Sequence, residues 1–62
     1  MHKHIATIPL RFNSVTVSTA EDPPRAILAA VDRDGTGFSH ALSRSELEEL
    51  LAALREAAKL LA

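Results

Sequence analysis

RAILAAVDRDGTGFSHAL, residues 25–42, is the stretch whose reading decides the fold. Its first eight residues, Arg25 to Asp32, hold an apolar run that suits either a central strand or a short helix, and periodicity does not separate the two at this length. The Asp34-Gly35 pair decides for a strand. It is the strongest short hairpin signal in the chain, because a type I′ turn needs positive φ at both central positions. A hairpin centred there pairs Val31 with Phe38, Ala29 with His40 and Ile27 with Leu42. The bulky residues then share one face. Strands are expected at about 25–32 and 36–42.

Working outward toward the C-terminus, the next residue starts a helix. Ser43 is a suitable N-cap, Glu46 stands at N3 for a capping box, and Leu42 can staple onto Leu47. From there Leu47, Leu50, Leu51, Leu54, Ala57, Ala58 and Leu61 follow the i, i+3, i+4, i+7 rhythm and cover a face of ~120°. No Pro or Gly interrupts 44–61. The acids come early and Arg55 and Lys59 late, as the helix dipole favours. Ala53 and Leu60 lie together on a flank outside the main stripe, with Glu49 and Glu56 beside them. These four form the candidate interaction surface.

Toward the N-terminus, Ala6, Ile8, Leu10 and Phe12 alternate with Thr7, Pro9 and Arg11, the period of a half-buried strand over 4–12. Pro9 has no amide hydrogen, which places this strand at a sheet edge or a bulge. Asn13-Ser14 as a turn leads into a second strand, 15–19, pairing Phe12 with Val15 and Leu10 with Val17. Glu21-Asp22-Pro23-Pro24 then reads as a connection: a solvated linker in the plain reading, an acidic contact loop in the functional one. The fold expected is a single α+β domain over 1–62, an antiparallel four-stranded sheet of two hairpins with one C-terminal amphipathic helix on one face, ββββα.

The chain has 62 residues, no cysteine and a net charge of −1. A domain this small buries only about 60% of its unfolded surface, so disulfides, a metal or self-association usually reinforce it. Without cysteine the disulfides and thiolate metal sites are excluded, and a homodimer becomes the expectation. No segment forms a basic stripe, so nucleic acid is an unfavoured partner. Neither a signal-peptide apolar region nor a membrane-length apolar run is present, so a soluble cytoplasmic protein is expected. The Ala-, Leu- and Arg-rich style suits a small bacterial or phage accessory protein.

Three constellations bear on chemistry. Asp32, Asp34 and Thr36 with the following glycines look like the start of an EF-hand loop, but position 12 from Asp32 is Ser43, which supplies no carboxylate. His2 and His4 share one side of a strand, and His40 joins them as a metal site only if the first and fourth strands are neighbours. Otherwise His40 is a partly buried structural residue. Ser39 and His40 point to opposite faces of a strand and form no nucleophile–base pair. No catalytic, cofactor or metal residues are assigned, and an enzyme is not expected.

In element order alone, four strands followed by a C-terminal helix resembles the dimeric single-stranded-DNA-binding coactivators. That resemblance implies a dimer. The family's basic and aromatic binding face has no counterpart in a chain with two Phe and neither Tyr nor Trp. The function expected is therefore a small non-enzymatic interaction or regulatory module that forms a homodimer.

Overall fold

The computed structural model describes residues 2–61. Strands β1 (His2–Pro9), β2 (Asn13–Ala20), β3 (Arg25–Asp32) and β4 (Gly37–Leu42) precede a single helix, α1 (Arg44–Leu60). The sheet is an antiparallel meander in the order β1-β2-β3-β4. This is the expected ββββα architecture, with residues 25–32 a central strand rather than a helix.

Both hairpin registers differ from the sequence-based expectation, with different consequences. Ile8 pairs with Val15 and Ala6 with Val17, where Phe12 and Leu10 are the expected partners, a slip of four residues. β1 ends at Pro9, and Leu10 N–H donates to Asn13 O at 2.8 Å. The turn is therefore Arg11-Phe12, not Asn13-Ser14, and Leu10 and Phe12 leave the ladder. Because the side-chain period of a strand is two, an even slip keeps Ile8, Ala6, Val15 and Val17 on one face. The pairing also shifts between His4 and Ala6, so Ile5 bulges out of the ladder.

The second hairpin slips by one. Phe38 pairs with Ala30, His40 with Leu28 and Leu42 with Ala26. The odd slip moves Ile27 and Val31 to the opposite face from Phe38 and Leu42. Its cause is the turn. Gly35 has φ 81 and Asp34 has no positive φ, so the type I′ geometry is not adopted. Instead Gly35 N–H donates to Asp32 O, and Asp32 N–H to Thr36 O, closing a three-residue loop with glycine in the left-handed position. Asp32 Oδ1 accepts from both Asp34 N–H and Thr36 N–H at 3.0 Å, an Asx arrangement that favours this turn.

The other connection, 21–24, is a turn with Asp22 in the left-handed region. Arg25 holds it, donating to Glu21 O at 3.2 Å and Pro23 O at 2.8 Å.

Helix α1 begins as expected. Ser43 Oγ accepts from Glu46 N–H, and the Glu46 carboxylate accepts from Ser43 N–H at 2.9 Å. Its backbone comes near only β3 and β4. Val17, Leu28, Leu42, Leu47, Leu50 and Leu54 line the crevice between helix and sheet. Of the helix residues only Leu47 and Leu50 are half-buried, and no described residue of the helix is buried. The buried core is three alanines: Ala20, Ala26 and Ala30.

Candidate functional site

Cross-strand pairing sorts the sheet into two unlike faces. Ala6, Ile8, Val15, Val17, Leu28, Phe38 and Leu42 share the face that meets the helix, with Lys3, His40 and, at the end of the ladder, Asp32 as its titratable groups. The far face carries Thr7, Ser14, Thr16, Ser18 and Ser39 among Ile27, Ala29, Val31 and Ala41. One face is apolar and the other mixed. An antiparallel sheet with one polar face normally packs its apolar face away from water. Here the helix covers only the corner near Ala26, Leu28 and Leu42.

What remains bare is large. Ile8 is about half exposed, Phe38 is 58% exposed, and Leu54 in the helix and Leu61 at its C-cap reach 58% and 82%. The chain exposes 5295 Å² for 6.7 kDa, against about 3,900 Å² expected of a compact monomer of that mass, an excess of roughly 1,400 Å². The radius of gyration is 12.8 Å where a compact chain of 62 residues has about 10.5 Å. The molecule is a slab, 39 × 31 × 16 Å. The apolar inner face of that slab is the candidate site.

The four residues of the expected interaction surface, Ala53, Leu60, Glu49 and Glu56, are all exposed, Leu60 at 76%. The sequence pattern distinguishes that flank from a stripe expected to be covered by the sheet. In the structure the stripe beyond Leu50 is exposed as well. The larger surface is therefore the inner face, and it escaped sequence reading because periodicity reports which side of a helix is apolar, not how far a sheet covers it.

The titratable groups do not assemble. β1 and β4 are opposite edges of the sheet, separated by three strand spacings of about 4.8 Å, so His40 does not approach His2 or His4. They also lie on opposite faces: His4 pairs with Ser18 and His40 with Leu28. The His4 ring hydrogen-bonds Thr7 Oγ1 at 2.9 Å. His40 is exposed, not partly buried, and its ring meets Phe38 edge-on at 5.4 Å. Asp32, the first residue of the EF-hand-like stretch, spends one carboxylate oxygen on the turn amides. Among the described residues no three His, Asp or Glu side chains converge as a metal site.

Glu46 is held below the ordinary glutamate value, first by the backbone N–H of Ser43 and then by its hydroxyl. That is the capping box, and it accounts for this carboxylate structurally. Arg44 and Glu48 form an i, i+4 pair at 3.4 Å on the exposed helix surface, a geometry worth only a few tenths of a kcal/mol. Among the described residues no helix is long and apolar enough to cross a membrane. The chain matches no known family model, no curated protein and no solved structure.

Proposed function

We propose that this protein is a small non-enzymatic interaction module that works as a homodimer. The observation that carries the reading is the absence of a private core. Among the described residues only three alanines are buried, while leucine, isoleucine and phenylalanine side chains on the inner face remain exposed. At about 25 cal/mol per Å² of apolar area, the apolar part of the roughly 1,400 Å² of excess surface is the largest stabilising resource the chain leaves unused. A stable interface needs about 800 Å² from each partner, and permanent ones take more. With no cysteine for a disulfide, association is the remaining route to stability for a chain of this size.

The non-enzymatic part of the reading is supported by the dispersal of His2, His4 and His40 over two faces, and by the structural use of Asp32 and Glu46. Sedimentation equilibrium tests the reading. A particle of twice 6.7 kDa is expected at micromolar concentration, with Leu60→Asp weakening association while circular dichroism retains the mixed sheet and helix signal. A folded particle of single mass at all concentrations sinks it. Binding of single-stranded DNA that declines steeply with salt would instead favour the coactivator-like alternative.

A further inference from the structure

We infer that the two copies associate by exchanging helices: the second half of α1 in each copy lies on the bare half of the partner's inner sheet face. The inference rests on the dimer reading above and specifies its geometry.

The apolar stripe of α1 continues through Leu54 and Ala58 to Leu61 at the C-cap, yet along the helix only Leu47 and Leu50 gain even partial cover from their own sheet. On the sheet, Ala6, Ile8 and Val15 form an aliphatic band on β1 and β2, the two strands that the helix backbone does not approach and outside the crevice that Val17 lines with α1. One chain thus offers an apolar helix end with no sheet beneath it and an apolar sheet half with no helix above it. These two surfaces are of complementary kind, a stripe and a platform. In a two-fold dimer each copy gives its stripe and receives its partner's, so the contact occurs twice and closes. No other apolar helix end is needed, and none is left over.

Charge is compatible with this packing. Along the stripe from Leu47 to Leu61 no charged residue intrudes, and Glu49 and Glu56 lie on the far side of the helix cylinder. Ala53 and Leu60 sit next to the stripe and widen it at the rim. On the receiving half of the sheet, Lys3 is the single lysine or arginine of the ladder face, and it lies at the outer edge on β1.

Sheet extension is the rival arrangement, and it does not meet the requirement. Pairing two edge strands satisfies backbone amides and carbonyls but covers none of the inner face. The β1 edge is also blunted by the Ile5 bulge and by Pro9, which has no N–H to give. A different protein as the occupant meets another difficulty. The uncovered face is the chain's own missing core, so its cover must be present whenever the chain is folded. A second copy is the one partner present wherever the chain is made.

Isotope-filtered nuclear Overhauser spectroscopy on a dimer of one labelled and one unlabelled copy tests this with the unmodified chain. Contacts between copies are expected from the methyls of Leu54 and Leu61 to those of Ala6, Ile8 and Val15. In parallel, Leu54→Asp is expected to weaken dimerisation roughly hundredfold or more, and Ser39→Asp on the far face to leave it unchanged. A particle of twice 6.7 kDa whose inter-copy contacts are confined to the β1 or β4 edges overturns helix exchange and leaves the dimer standing. A single-mass particle overturns both.

Discussion

Two glycines two positions apart, one in the β3–β4 turn and one at the start of β4, have different physical jobs. Gly35 has φ 81 and open space around its Cα, so its requirement is conformational. Gly37 is steric: a Cβ there would fall on the carbonyl of Ala30 and within 2.9 Å of Val31 Cα. Gly35→Ala is expected to cost ~1–2 kcal/mol, the penalty of a left-handed alanine. Gly37→Ala is expected to cost more, about 1–3 kcal/mol with displacement of β4, since the neighbouring atoms are backbone and cannot swing aside. Urea unfolding of the two variants ranks them. At Glu46, a folded value below the ordinary one means that its contribution to stability is present above the ordinary glutamate value and is lost as pH falls through the depressed one. The helical signal should weaken in that acid window. In Glu46→Gln, which keeps a capping-box side chain, that part of the pH dependence should disappear from a circular dichroism titration.

Among the elements, those governed by local chemistry were legible in the sequence. Ser43 and Glu46 form the capping box at the spacing their residue types require. The alternation of Ala6, Ile8, Val15 and Val17 identified one face correctly despite a shifted turn, because the slip was even. The β3–β4 register was not legible from Asp34-Gly35 alone. That pair fits two turns, and the choice belongs to Asp32, whose carboxylate binds the amides of Asp34 and Thr36. An Asp at the first position of a type I turn with glycine at the fourth was the available signal. Asp32→Ala should therefore cost about 1–2 kcal/mol through two lost hydrogen bonds. It should also loosen the hairpin, read as faster amide exchange at Thr36 and Gly37. The bare inner face was the least legible feature. How much sheet a helix covers depends on the angle at which it leaves β4, which no residue pattern encodes.

For the whole molecule, the shortfall in burial is the property on which the proposed association rests. A sheet with one apolar face needs a second layer across its full width, and the backbone of α1 approaches only two of the four strands. The mixed far face, with its Ser and Thr side chains, suits the outside of an assembly. The strand order has a kinetic consequence of its own. In a meander every strand pairs with its neighbour in sequence, so each loop to be closed is only a few residues long. Hairpins of this kind form in roughly 1–10 μs. The chain should reach its strand pairing long before two copies meet, which makes encounter the slow event. Stopped-flow refolding should accordingly show a phase whose rate rises in proportion to protein concentration, and a rate independent of concentration would place the slow event within the single chain.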